Sequence, residues 1–389
     1  ISSETQTVTV ELIQSIKDIK LNNCEKQKRW IWESLQAKLL KYKISSLTLS
    51  QHQQAGALAV NQFKNIIISF LSARLVIQGQ LTLGEMMAIQ YIVGLVSSPI
   101  EQLLSFLQQY QDAKISIERI NEIYSIKDEE DIDSDWINQI ENNNITFKNI
   151  TFSYLGAGNL PVLQDFNLSI PQGKTTAIVG TSGSGKTTIL KILMRFHSLK
   201  SGEILIGSDN LEKISPRVWR KSCGMVMQDG FIFADTIENN ICLGESSPSD
   251  NKMKLAIEVA NLKEFVSVQP FGLKTKVGAT GKGLSQGQRQ RILIARAVYK
   301  NPDFVFLDEA TNSLDSFNEK KIMGNLKKFL ENRTVIIIAH RLSTIRSADK
   351  IVVMKDGRIV EEGNHASLLN IKGEYFNLIS NQLELESYQ

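Results

Sequence analysis

Residues 1–125 mix many Leu and Ile with Gln and Lys, hold few glycines and one proline, Pro99, and read as helix almost throughout. From Ile145 onward the pattern changes. Short, largely β-branched runs such as Lys174–Val179 and Val335–Ala339 alternate with helical stretches, as in an α/β domain. Between the two lies an acidic stretch holding Asp128, Glu129, Glu130, Asp131, Asp133 and Asp135, which reads as a solvated linker. The expected organisation is a helical segment over 1–125, a linker over 126–144 and an α/β domain over 145–389.

Within the helical segment no run of about 18 residues is solidly apolar. Residues between Lys43 and Lys64 are uncharged but diluted by Ser, Gln and His52, and a greasier block follows from Ile66 to Ile77. A turn over Gly79–Gly84 precedes a second uncharged run from Met86 to Ile100. Helices over 44–77 and 85–123 would be about 50 and 60 Å long, longer than a bilayer core. Lys17, Lys20, Lys26, Lys28, Arg29, Lys38, Lys41 and Lys43 precede the first candidate span, and the turn is uncharged, which places both outer ends on the cytoplasmic side. Arg74 opposes a deep position in the bilayer, unless it snorkels from the end of its helix. On composition alone, a membrane hairpin and a soluble helical hairpin both stay open.

The chain has 389 residues, 44 Lys+Arg against 41 Asp+Glu and 42% hydrophobic residues, enough for two or three domains with real cores. A net charge of +3 argues against a nucleic-acid coat, and the composition excludes wholesale disorder. Cys24, Cys223 and Cys242 are far apart, which signals neither a disulfide framework nor a zinc knuckle and fits a reducing compartment. The chain starts at Ile1 without methionine or signal peptide and reads as a piece of something longer.

The strongest chemical signal is a strand ending at Val179, then Gly180-Thr181-Ser182-Gly183-Ser184-Gly185-Lys186-Thr187-Thr188 and a helix over Ile189–Phe196. This is the phosphate-binding pattern G-x-x-x-x-G-K-[ST] in its strand–loop–helix setting. Its glycines let successive N–H groups turn around phosphate oxygens, and the helix N-terminus adds its positive dipole end. Lys186 is placed to reach the β- and γ-phosphates, and the Thr187 hydroxyl to ligate Mg²⁺. A second apolar strand ends in Leu307-Asp308-Glu309, where ligands bind in open parallel sheets. There Asp308 would hold Mg²⁺ through water, and Glu309 would orient and deprotonate an attacking water. Alone, that pair would pass for an ordinary helix cap; beside the phosphate loop it does not.

Over residues 145–389 the chain resembles the ABC-transporter ATPases. Leu284-Ser285-Gln286-Gly287-Gln288 resembles their signature loop, opening a helix over Gln290–Tyr299. Gln228 resembles the Q-loop glutamine, Asn312-Ser313-Leu314-Asp315 the D-loop, His340 the H-loop histidine and Tyr154 the aromatic that stacks on adenine. A helical subdomain is expected over about 229–300. Two departures stand out: Gln286 replaces a glycine of the signature loop, and Ala279 replaces the usual glutamate of the X-loop of exporters. The segments LVIQGQLTLGEMMA and QDAKISIERI resemble the end of a type I exporter's transmembrane domain, with Val10–Lys20 the cytoplasmic helix leading into it.

The resemblance implies an α/β P-loop ATPase domain preceded by an all-α transmembrane segment holding the last two of six spanning helices. It implies ATP and Mg²⁺ as ligands, with Thr187, Gln228 and Asp308 at the metal. Nucleotide contacts would come from Tyr154, Gly180–Thr188, Ser285, Gly287 and Gln288, and catalysis from Glu309, His340 and Gln228. The expected assembly is a homodimer sandwiching two ATPs, multi-pass in a bacterial inner membrane with cytoplasmic ATPase domains. Its cargo would be a peptide or protein of the haemolysin or bacteriocin kind; many such exporters also carry a cysteine peptidase domain. A lipid or drug exporter, or a membrane-anchored regulatory ATPase without transport, are the alternatives. DNA-working and translation-type ABC proteins fit poorly, because there is no coiled-coil insertion between Lys186 and Asp308 and only one phosphate loop.

Overall fold

A computed structural model describes residues 2–126, 128–130, 135–154, 156, 160–245, 247–278, 283–339 and 341–387. The chain divides into two units, residues 1–126 and 127–389.

The first unit is helical: α1 (Ser2–Gln14), α2 (Ile16–Leu21), α3 (Glu25–Ile77) and α4 (Leu83–Tyr124). α3 starts well before the predicted span because no Gly or Pro interrupts residues 25–55, and Arg29 pairs with Glu33 one turn on at 2.6 Å. The Trp32 indole N–H donates to the Thr9 hydroxyl at 3.1 Å, fastening α1 to α3. Gly79, in the left-handed region at φ 75°, helps reverse the chain. Thr82 then caps α4 through a reciprocal box: the Glu85 N–H donates to its hydroxyl and the Thr82 N–H to the Glu85 carboxylate, at 3.2 and 2.7 Å. Among the described helices α4 alone is long and apolar enough to cross a membrane. α3 fails on composition, diluted by its Ser, Gln and Lys residues.

The second unit opens with β1 (Ile145–Phe152), β2 (Leu163–Ile170), β3 (Thr175–Gly180), α5 (Lys186–Leu193), β4 (Ser201–Ile206) and β5 (Asp209–Asn210). It continues through α6 (Pro216–Ser222), β6 (Cys223–Val226), α7 (Ile237–Ile241), α8 (Asp250–Val259), α9 (Lys263–Ser267) and α10 (Gln286–Tyr299). Then come β7 (Phe304–Asp308), α11 (Ser316–Leu330), β8 (Thr334–Ile338), α12 (Leu342–Arg346), β9 (Lys350–Lys355) and β10 (Arg358–Gly363). Two helices, α13 (His365–Ile371) and α14 (Glu374–Ser387), follow.

A four-stranded antiparallel sheet runs β2-β1-β4-β5, and a six-stranded sheet runs β10-β9-β3-β8-β7-β6, parallel except at β10. Every residue of β7 and β8 is buried, so alternate side chains feed two cores. Val305, Leu307, Val335 and Ile337 join the core under α8, α10 and α11, while Phe304, Phe306, Ile336 and Ile338 join that of α5 and the antiparallel sheet. Predicted helix starts fall late. α10 begins at Gln286 because Ser285 and Gln288 form a capping box, and α5 begins at Lys186, directly off the phosphate loop.

The acidic stretch is not free throughout. Glu129 makes a forked ion pair with Arg220, and Glu130 pairs with Arg217 at 2.8 Å and accepts from the Ser215 hydroxyl. Arg195 lies over the Trp136 ring at 5.5 Å, and Ile137 bonds the chain at both Lys213 and Ser215.

Trp219 on α6 is wholly buried against Phe304, ring centres 4.8 Å apart, and its indole N–H donates to the Leu193 carbonyl at 2.7 Å. Trp219→Ala should therefore cost the unit about 3–5 kcal/mol in urea unfolding, and Trp219→Phe less. Equal midpoints for the native protein and Trp219→Ala would remove that residue from the core.

Candidate nucleotide-binding site

The parallel ladder decides which loops meet. Ile178 pairs with Ile338, Ile338 with Asp308 and Leu307 with Val226, so β3, β8, β7 and β6 end side by side. The phosphate loop follows β3, Asp308-Glu309 closes β7 and Gln228 follows β6. Open parallel sheets bind ligands at this edge.

The phosphate loop requires its glycines. A Cβ on Gly180 would lie 2.2 Å from the Met354 carbonyl, and Gly185, with φ 97°, would drive a Cβ to 2.9 Å from Leu163. Thr181, Ser182 and Gly183 form the exposed tip, while Ser184 and Lys186 are buried. The Lys186 ammonium donates to the carbonyls of Gly180 at 2.9 Å and Thr181 at 2.7 Å, lying inside the curve of the loop. Burial pulls its pKa below the ordinary lysine value, against the carboxylates of Glu309 and Asp308, which favour the charge.

Asp308 is buried at the end of β7 and accepts a hydrogen bond from the Thr187 hydroxyl at 3.3 Å. Burial raises its pKa, as does Glu309 beside it; the Thr187 bond opposes the shift. A hydroxyl and a carboxylate converging at the phosphate loop form a hard-oxygen donor pair that suits Mg²⁺, which takes few protein ligands and fills its shell with water and phosphate oxygens. The residues fit that ion.

Glu309 stands at φ 50°, a left-handed backbone unusual for a non-glycine and the kind of strain that collects at functional sites. Its Oε2 accepts from the Gln228 amide at 3.1 Å and the Asn312 amide at 2.6 Å. Gln228 therefore bonds Glu309 here, though the sequence reading also placed it at the metal. Tyr154, half-buried just beyond β1, shares a hydrogen bond of 3.1 Å with the Thr188 hydroxyl and meets Phe152 and His197 edge-on.

The signature loop forms the N-terminus of α10. The Ser285 hydroxyl accepts from the Gln288 N–H at 3.2 Å, and the Ser285 N–H donates to the Gln288 side chain at 2.9 Å. Gln288 thus shapes the loop as a cap. Gly287 faces the D-loop: a Cβ there would sit 3.3 Å from the Ser313 carbonyl. Gln286 shares a cleft of about 370 Å³ with Gln228, Glu309 and Asn312. Among the described residues, Ser285 and Gln288 bond each other and not the phosphate loop. His340 and Ala279 lie outside the described residues.

Sequence reading missed Arg341 and Glu319. Their ion pair ties α12 to α11 across the D-loop, and no local pattern couples two residues so far apart in the chain.

Residues 163–312 match the ABC transporter family profile. The chain is 38% identical over 384 residues to the exotoxin translocation ATP-binding protein PaxB of Pasteurella aerogenes, covering 98% of this chain and 53% of that protein. It is 37% identical over 369 residues to the alpha-hemolysin translocation ATP-binding protein HlyB of Escherichia coli, covering 95% and 52%. A bacterial Atm1-family ABC exporter solved with ATP bound superposes with a TM-score of 0.90 at 28% identity, over 97% of this chain and 67% of that one. The chain spans about half the length of the curated relatives it matches. Its phosphate loop and the acidic end of β7 lie within the matched residues, and the second unit of this chain is an ABC transporter ATP-binding domain.

Proposed function

We propose that the chain hydrolyses ATP as part of an ABC exporter, and that the hydrolysis drives export of a peptide or protein. The observation that carries the hydrolytic part is the joined set at the sheet edge, Thr187 to Asp308 and Gln228 and Asn312 to Glu309. The cargo class rests on the names of the relatives, which translocate exotoxin and alpha-hemolysin. A bacteriocin-type peptide belongs to the same class.

In this reading Tyr154 stacks on adenine, and the N–H groups of Gly180–Thr188 wrap the phosphates. Lys186 trades its loop carbonyls for the β- and γ-phosphate oxygens. Thr187 and Asp308 would hold Mg²⁺, joined by Gln228 once it turns from Glu309, and the ion would supply positive charge beside the phosphate oxygens. Glu309 accepts a proton from the water that attacks the γ-phosphorus in line, and the bond to the β-phosphate oxygen breaks to give ADP and phosphate. His340 contacts the γ-phosphate. Ser285 and Gly287 of a second copy close over it, so two ATPs hold a homodimer and hydrolysis releases it. The whole half-transporter is multi-pass in a bacterial inner membrane with the ATPase domain in the cytoplasm; α4 is its last span, and residues 44–77 of α3, too polar to pass as a span on composition, are assigned the preceding one on the family resemblance alone. Further spanning helices and a cysteine peptidase domain would belong to parts of the protein outside this chain.

Three outcomes are expected. Glu309→Gln should keep ATP affinity, hold an ATP-dependent dimer on size exclusion, and lose at least about 100-fold in phosphate release; near-normal turnover would end the general-base assignment. Tyr154→Ala should weaken ATP by about 0.5–1.5 kcal/mol in calorimetry and inorganic triphosphate by less, since stacking acts on the base alone; equal losses for both would remove the stacking role. Proteoliposomes of the full protein should take up a secreted polypeptide only with ATP and a functional Glu309. ATP hydrolysis with no uptake of polypeptide, lipid or drug would instead favour a regulatory ATPase.

A further inference from the structure

We propose that Arg341 is a positioning residue for Glu309, acting through the D-loop; this rests on the hydrolytic role of Glu309 given above. Arg341 occupies the N-cap position of α12, shortly after the carboxyl end of β8. One arm of its guanidinium pairs with the Glu319 carboxylate, and the other donates to the carbonyls of Asn312 at 3.4 Å and Leu314 at 3.3 Å. Glu319 is itself buried in the first turn of α11, where it also accepts from the Thr311 hydroxyl at 3.3 Å.

These bonds fix the D-loop from outside. From inside, the Asn312 N–H donates to the Glu309 carbonyl at 3.2 Å and the Leu314 N–H to the Thr311 carbonyl at 3.1 Å. The loop therefore has little freedom to turn its peptides, and the Asn312 side chain leaves it in one direction, onto Glu309 Oε2 at 2.6 Å. Arg341 grips the carbonyl of the same residue whose amide grips the catalytic carboxylate. Two contacts separate the guanidinium from the proton acceptor.

The pairing also explains why a carboxylate is buried at position 319. An ionised Glu319 without its partner would be left desolvated with its charge uncompensated; with Arg341 and Thr311 its oxygens are bonded. A guanidinium suits the task because its planar fork reaches a carboxylate and two carbonyls together, whereas a lysine offers one compact charge. Misplacing a general base by about 1 Å costs on the order of 100-fold in rate, so loosening it through one intermediate should cost less.

The test is steady-state ATP hydrolysis by the full protein carrying Arg341→Gln, Arg341→Lys, Asn312→Ala, and Arg341→Gln with Asn312→Ala. Each single variant should lose about tenfold in kcat with KM for ATP within about twofold. The double variant should lose no more than the worse single, because both changes act on one path. Glu319→Gln with Arg341→Gln removes both charges, so it avoids an unpaired buried carboxylate and should show the same kcat loss if Arg341→Gln alone does not fold. Unchanged kcat in folded Arg341→Gln, a loss carried by KM, or multiplying losses in the Asn312 double variant would each overturn the inference. A native protein that binds ATP without hydrolysing it would instead overturn the hydrolytic reading, and this inference with it.

Discussion

The parallel ladder of β3, β8, β7 and β6 is the constraint on which the site depends, because it sets the carboxyl ends of four strands side by side at one edge. A one-residue slip in β7 would turn Phe304 and Phe306 toward the core that Val305 and Leu307 now fill, and would carry Asp308 away from Thr187. Both faces of β7 and β8 are buried, so such a slip disturbs two cores at once. The site inherits its precision from apolar packing that has no chemical role itself.

On that frame the charges are arranged against the grain of burial. Lys186 is pushed toward its neutral form and Asp308 toward its protonated form by the same dry surroundings. Each is partly rescued by the other's charge and by local bonds, Lys186 by the loop carbonyls and Asp308 by the Thr187 hydroxyl. A phosphate chain entering the loop would add charge of the sign Lys186 lacks. Glu309 is handled differently: it is only half-buried and is held by two neutral amides, which orient a carboxylate without cancelling its charge.

What could be read from the sequence follows contact distance along the chain. The phosphate loop and the acidic end of β7 are legible because the elements are local: a strand, a turn whose glycines have no alternative, a helix start. The reading put Gln288 at the nucleotide, and the structure gives it a second occupation as the reciprocal cap of Ser285, a signal that S-x-x-Q spacing does carry. The tie of Glu129 to Arg220 is not legible, since acidic and basic residues on a surface pair in too many ways for spacing alone to choose, and that of Arg341 to Glu319 is not, since nothing in the local pattern marks Glu319 as buried. In the helical unit, the greater length of α3 was missed because the reading tracked apolar content, whereas helix continuity depends on the absence of breakers between Glu25 and Ala55.

The segment around the acidic stretch shows how such surface ties should be weighed. Exposed ion pairs contribute about 0–1 kcal/mol each, so Arg217 with Glu130 adds little, and the forked pair of Arg220 with Glu129 only somewhat more. Ile137 and Ile140 pack against the core shared by Trp219 and Phe304, and Ile137 adds two backbone bonds beside Ile214. Apolar burial at about 25 cal/mol per Å² outweighs the ion pairs once a side chain has covered a few tens of Å². The attachment of this segment to the ATP-binding domain therefore comes mainly from its isoleucines, and the carboxylates that dominate its sequence chiefly set where along α6 it lies.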